Sequence, residues 1–355
     1  MKGHLILLDH LTGPDGPVEA AALLRDGKLE DLHVDSDAPR PGAIYRASAD
    51  RPVKGQGGMF LKTPDGPAFL KQVKGLSPGQ PLLVQVTGHA EPGKAIPVTT
   101  RLLFKSRFAI VTPEAPGINV SRQIKDDDAR DALLEIAHEV FAGHEMAARN
   151  AGLILRSSCD GADADAVADD IAAMADLALQ VLNDAEGEPE KLTEGDGPHT
   201  LAWREWVMEA QIETEAGCFE HHGVHEKIAA LFRPEVSLGT GAGSFAVEPT
   251  RAFVAVDVNT GGDTSLAAGL KANLAMARDL PRQLRLRGLG GVVVLDLAPM
   301  PKKDRRSFEG ALRASLKTDD TDTVMAGWTP LGNYELQRKR ARLPLSETVT
   351  ESMLE

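Results

Sequence analysis

Several features that would quickly settle a function class are missing from this 355-residue chain. No apolar run approaches the roughly 18 residues that a membrane helix needs. The opening stretch from Met1 to Asp9 reads as a first strand, not as a secretory leader. Only two cysteines occur, Cys159 and Cys218, with no CxxC spacing. That excludes a disulfide framework and fits a reducing, cytoplasmic setting. No internal repeat, P-loop, HExxH or Ser/His/Asp signature is present. Cys218, His221, His222 and His225 are ligand-type residues, but their spacing fits no standard zinc pattern.

The charge is uneven. The chain carries −13 overall, yet from Val236 onward 16 Lys/Arg stand against 14 Asp/Glu, whereas the residues before hold 23 against 38. The basic groups cluster at Arg282 to Arg287, Lys302 to Arg306 and Arg338 to Arg342. A polyanion would respond to that local field more than to the total charge, although solvated helix faces would look the same in composition.

Residues 1–40 read as two or three strands with a short helix, closed by Pro39-Arg-Pro-Gly. From Ala43 to Thr100, short β runs alternate with Gly/Pro turns, a spacing that suits a small antiparallel barrel of the oligonucleotide-binding (OB) type. Leu102 to Thr112 reads as a strand pair. Helical periodicity covers Asp127 to Asn150 and Ala164 to Asp184, with Leu153 to Arg156 as a strand between them. Glu186 to Pro198 is acidic and reads as a solvated linker or an insertion, and Gly239-Thr-Gly-Ala-Gly-Ser as a hairpin. Beyond Ala252, strands and helices alternate in an α/β pattern.

Two runs carry the chemistry. Phe253-Val-Ala-Val-Asp257-Val-Asn259 and Gly290-Gly-Val-Val-Val-Leu-Asp296 are β-branched apolar segments, each delivering a carboxylate to a strand end. Two such acids side by side repel unless a cation lies between them, and Mg²⁺ accepts one or two carboxylates while keeping several waters. Asn259, two residues after Asp257, shares its strand face. Arg282, Arg285 and Arg287 are expected to line the acids and neutralise a phosphate. The plainer reading makes Asp257 and Asp296 simple strand caps.

Val256-Asp-Val-Asn-Thr-Gly-Gly, the long Pro281-Arg-Gln-Leu-Arg-Leu-Arg-Gly-Leu-Gly-Gly-Val-Val-Val-Leu-Asp296 and Glu335-Leu-Gln-Arg338-Lys-Arg340 closely resemble the catalytic core of the ribonuclease E/G family. The likeness extends over nearly the whole chain, more weakly before residue 100. It implies a multidomain α/β (α+β) fold: an RNase H-like scaffold (1–40 and 191–235) and an inserted OB-type RNA-binding barrel (41–100). A 5′-sensor region (101–190) and a DNase I-like catalytic subdomain (236–355) complete it. It further implies Mg²⁺-dependent cleavage of single-stranded RNA to 3′-hydroxyl and 5′-phosphate ends, with Mn²⁺ as a substitute metal.

By position, Asp257 and Asp296 resemble the family's metal-binding pair and Asn259 its companion amide. Phe60 and Phe69 resemble barrel aromatics that stack on bases, though a lone barrel Phe is as often core, and Lys94 resembles a lysine that reaches RNA. Arg156 and Ser157, with Arg122 in support, resemble a sensor for a 5′-monophosphate, so 5′-monophosphorylated RNA is the expected favoured substrate. Some positions depart from the family. Pro299 replaces a second acid after Asp296, and Thr323 stands where members often have a basic residue. The Cys-Pro-x-Cys zinc link is missing, so a monomer or dimer is expected instead of a zinc-bridged tetramer. These departures keep a non-catalytic RNA-binding protein on the same scaffold as the alternative.

Overall fold

In the computed structural model, which describes residues 3–53, 57–72, 75–91, 93–239 and 243–354, the chain divides into two units. One comprises residues 1–36 and 209–355, the other 37–208. The chain opens with β1 (His4–Gly13), β2 (Gly16–Arg25) and β3 (Lys28–Val34), an antiparallel meander without the short helix expected there. Asp26-Gly27 joins β2 to β3 with both residues at positive φ, the two-residue hairpin that matches strand twist.

The second unit begins with β4 (Ile44–Val53), β5 (Gly58–Thr63), β6 (Gly66–Leu70), β7 (Pro81–Val86) and β8 (Ile96–Thr99). Their pairing runs β4-β5-β6-β8-β7 and closes from β7 back to β4, so the expected barrel is present as a five-stranded ring. Tyr45, Ala47, Leu61, Ala68, Val84 and Val98 alternate inward and fill it. Next come β9 (Phe104–Lys105), β10 (Ala109–Thr112), β11 (Gly117–Val120), α1 (Asp127–Phe141), α2 (Glu145–Ala148), β12 (Gly152–Leu155) and α3 (Ala164–Asn183). Their sheet has the order β11-β12-β10-β9, and α1 and α3 pack their apolar faces onto it. Asp126 and Asp163 cap the two helices, accepting from the Ala129 and Ala166 amides.

The acidic stretch read as a linker is instead ordered. β13 (Glu190–Thr193) pairs antiparallel with β4, and α4 (Pro198–Glu205) follows. Buried Arg46 causes the difference: its guanidinium donates to the Glu188 carbonyl at 2.7 Å and binds the Asp184 and Glu190 carboxylates. Residues 191–208, assigned from the sequence to the scaffold's second part, therefore fall in the unit that holds the barrel.

Back in the first unit, β14 (Gln211–Glu213) pairs parallel with β1, and α5 (Cys218–His221) and α6 (Val224–Leu231) pack on that sheet. The remaining elements are β15 (Glu235–Ser237), β16 (Ser244–Pro249), β17 (Val254–Asn259), α7 (Leu266–Leu286), β18 (Gly291–Asp296), α8 (Arg305–Lys317), β19 (Thr323–Trp328), β20 (Tyr334–Arg338) and α9 (Leu345–Thr348). The middle of the glycine-rich run read as a hairpin, 240–242, lies outside the described residues. A six-stranded sheet results, in the order β15-β16-β17-β18-β20-β19, with β17-α7-β18 as its parallel crossover.

Met276, Leu280 and Leu284 of α7 and Phe308 and Leu312 of α8 cover one face of this sheet. Pro281 lies inside α7, where it removes an amide donor to the Ala277 carbonyl. Ser315 Oγ of α8 donates to that carbonyl at 2.6 Å and satisfies it. Among the described residues no helix is long and apolar enough to cross a membrane.

Candidate active site

Strand alternation sets the geometry of the acids. In β17, Val254, Val256 and Val258 point into the core, which turns Ala255, Asp257 and Asn259 to the opposite side. In β18, Val293 and Leu295 point inward, and Val292, Val294 and Asp296 outward. The two strands are parallel, and Asp257 is the register partner of Asp296. Their backbones are therefore about 4.8 Å apart, the interstrand spacing of a sheet. Both carboxylates and Asn259 are exposed. The Asn259 amide donates to Asp257 Oδ2 at 2.8 Å, which orients that carboxylate. On β20, Glu335 is the register partner of Val294, one row from Asp296 on the same face.

Two devices hold the segment that follows Asp296. Asn273, fully buried on α7, donates to the Ala298 carbonyl at 2.9 Å and accepts from the Ala298 amide at 3.0 Å. One turn earlier, a Cβ at Gly269 would overlap the Pro299 carbonyl oxygen, so only glycine lets helix and loop approach this closely. Pro299 itself is exposed.

The cations near the acids are not the ones expected. Arg282 and Arg285 sit near the C-terminal end of α7, and Arg282 is about 24 Å along the helix from Leu266 at 1.5 Å per residue. That end precedes Gly291, at the opposite end of β18 from Asp296. Arg282 holds Asp279 at 2.8 Å and the Leu29 carbonyl at 2.6 Å. Arg285 holds Asp319, Glu30 and Asp31. Burial alone would lower the Arg285 pKa, but Asp31 and Asp319 outweigh it and raise the value. Arg338, 1% exposed, donates to Asp319 at 2.6 Å and to Thr323 Oγ1 at 2.9 Å, so Thr323 belongs to the same buried network. These arginines staple the fold and do not line the acids.

Other cations lie on the segments that follow the two acid-bearing strands. A cleft of about 510 Å³, lined by Thr260, Asp263, Ser265 and Lys271 among others, opens beside the loop after Asn259. Lys302 and Lys303, exposed, follow the clamped segment after Asp296. Arg305 lies 3.9 Å from the Trp328 ring centroid, over a ring whose neighbour Tyr334 pairs with Leu295. The Lys302 to Arg306 cluster was visible in the sequence.

In the second unit, Phe60 and Phe69 are cross-strand partners on β5 and β6 and point out of the barrel, half-buried, with ring centroids 5.4 Å apart. A Cβ at Gly58 would overlap the Phe69 ring, which therefore lies on bare backbone. Arg51, opposite Phe60 on β4, places its guanidinium 5.1 Å from that ring. Sequence reasoning missed Arg51, although a cation over an aromatic face is a common base-binding arrangement. Lys94 is exposed in the loop before β8 and pairs with Glu91 at 2.9 Å.

Arg122 and Arg156 leave the C-terminal ends of the adjacent parallel strands β11 and β12. Arg122 is exposed and Ser157 half-buried. The Arg156 fork, expected to grip a phosphate, holds protein groups: the Ser106 carbonyl at 2.6 Å and Glu205 Oε2 at 2.8 Å.

Comparison with known proteins places this arrangement. The model of the ribonuclease E/G family matches residues 104–214 and 199–341, about two-thirds of the chain and all of the acid-bearing crossover. This chain belongs to the ribonuclease E/G family. It is 26% identical to ribonuclease G of Salmonella typhimurium over 390 aligned residues, covering 90% of this chain and 77% of that protein. Identity to ribonuclease G of Escherichia coli K12 is 27%, with the same coverage. Against ribonuclease E of Synechocystis it is 24%, over 91% of this chain and 55% of that protein. Family membership covers the β17-α7-β18 unit, which brings Asp257, Asn259 and Asp296 onto one face.

Proposed function

We propose that this chain is an endoribonuclease that cleaves single-stranded RNA in the cytoplasm, with Mg²⁺ held by Asp257 and Asp296. The observation that carries the proposal is their register pairing on an open sheet face, inside a crossover of ribonuclease E/G type. The donor set fits the ion. Mg²⁺ takes one or two carboxylate oxygens and keeps several waters, and an exposed pair on adjacent strands offers two hard oxygens with room for the rest. Mn²⁺ suits the same oxygens. When bound, the ion would supply Lewis acidity and make water a better nucleophile.

The chain's own residues have separate tasks. Asn259 fixes one oxygen of Asp257 and leaves the other for the ligand. Lys271, Lys302 and Lys303 offset negative charge on the scissile phosphate and its neighbours. In-line attack by water at phosphorus expels the 3′-oxygen, giving a 3′-hydroxyl and a 5′-phosphate. On the barrel, Phe60, Phe69 and Arg51 offer stacking surfaces to successive bases without selecting a sequence, as a single-strand substrate requires. The buried free thiols of Cys159 and Cys218, raised by burial to about 11 and about 12, suit a reducing compartment.

Pro299, in place of a second acid, and the missing zinc link favour the alternative of RNA binding without cleavage. Matched single-stranded RNA and DNA oligonucleotides decide between the readings. Cleavage of RNA that stops on EDTA addition supports the endoribonuclease, binding without cleavage supports the alternative, and equal cutting of DNA removes the RNA assignment.

A further inference from the structure

The second unit holds a group of charges that the proposed reaction does not use. Arg156 and Arg204 converge on Glu205, and Arg107 lies beside Arg156. The Glu205 carboxylate accepts from Arg156 Nη2 at 2.8 Å and from Arg204 Nε at 2.6 Å, one guanidinium on each oxygen. Arg204 also binds Asp196. Arg156 is anchored from behind by the Ser106 and Arg204 carbonyls, at 2.6 and 3.3 Å, so its fork is fixed before any ligand arrives. Arg107 lies 3.9 Å from the Trp203 ring centroid and donates to the Trp203 carbonyl. Its pKa is pushed down by burial and by the neighbouring Arg156. Despite that stacking, Trp203 remains 54% exposed.

The group sets two guanidinium cations on one carboxylate, with Arg107 beside Arg156. The anion at its centre is held as a ligand phosphate would be, on two forks, beside an exposed indole able to stack on a base. Burial raises the Glu205 pKa, but Arg204 and Arg156 outweigh it and lower the value, so the seat is filled by a true anion at neutral pH.

We propose that Glu205 is a built-in substitute for a terminal phosphate, and therefore the residue that makes this protein indifferent to whether an RNA 5′ end is phosphorylated. The proposal rests on RNA being the ligand. It reverses the preference that Arg156 and Ser157 suggest when read without their partner. A 5′-monophosphate must displace a covalently tethered carboxylate from Arg156, so its charge-assisted bonds replace existing ones instead of adding to them. Removing that carboxylate opens the seat and creates a phosphate preference.

The test measures fluorescence anisotropy of one short single-stranded oligoribonucleotide, bearing either a 5′-monophosphate or a 5′-hydroxyl, in EDTA. The wild-type protein should bind both within about twofold. Glu205→Gln, which keeps side-chain shape, should favour the phosphorylated end by about tenfold, the factor that one charge-assisted bond of about 1.4 kcal/mol provides. Adding Arg156→Gln to that variant should abolish the preference. Wild-type protein that already prefers the phosphate tenfold overturns the proposal, and so does a folded, RNA-binding Glu205→Gln variant with no preference. Because no cleavage is needed, a failed nuclease assay with the expected binding pattern would remove the endoribonuclease reading and leave this one standing.

Discussion

Asp31 shows how a single buried charge is made tolerable. Burial would raise its pKa, but Arg342, His33 and Arg285 outweigh that and hold it well below the ordinary carboxylate range. Arg342 binds both its oxygens, at 2.6 and 3.1 Å. A carboxylate with a depressed folded pKa stabilises fully above its unfolded value, about 3.9, and loses that contribution as pH falls through the folded value. Asp31→Asn should therefore lower stability at pH 7 by about 3–5 kcal/mol, the cost of stranding a buried partner. The difference from wild type should shrink below about pH 4, as followed by urea denaturation across pH. Asp31 also explains why Arg285 was misread. A sequence shows that an arginine run is basic, but not that Asp31 and Asp319, distant along the chain, already claim Arg285.

At the level of elements, the acid-bearing strands were legible because β17 and β18 have buried, β-branched alternate positions, so the face of Asp257, Asn259 and Asp296 follows from counting by two. The barrel was legible from its turn residues. β13 was not, since its acidic composition matches that of a solvated linker and its ordering depends on Arg46, more than 130 residues earlier. The clamp by Asn273 was equally hidden. Asn273→Ala should leave the amide and carbonyl of Ala298 unpaired in a buried place, at about 1–3 kcal/mol for each unmet group. Thermal melting would show the lost stability. A drop in kcat with unchanged RNA affinity would show that the loop after Asp296 had shifted.

For the molecule as a whole, the two units divide the proposed work: the acids lie in one and the stacking surface in the other. Phe60→Ala and Phe69→Ala should each weaken RNA binding by about 1–3 kcal/mol in an anisotropy titration. Because both rings point out of the barrel, the melting temperature should hardly change. The claim on which the rest depends is that Asp257 and Asp296 act together on the RNA backbone, and one measurement reaches it directly. Cleavage of a fluorescent single-stranded RNA in Mg²⁺ is compared for wild type, Asp257→Asn and Asp296→Asn, all three first confirmed to bind that RNA equally. The expected result is a rate reduced by about 10²–10³ or more in both variants, the range for losing a group that stabilises the transition state. A variant that binds normally and cuts at the wild-type rate would contradict it.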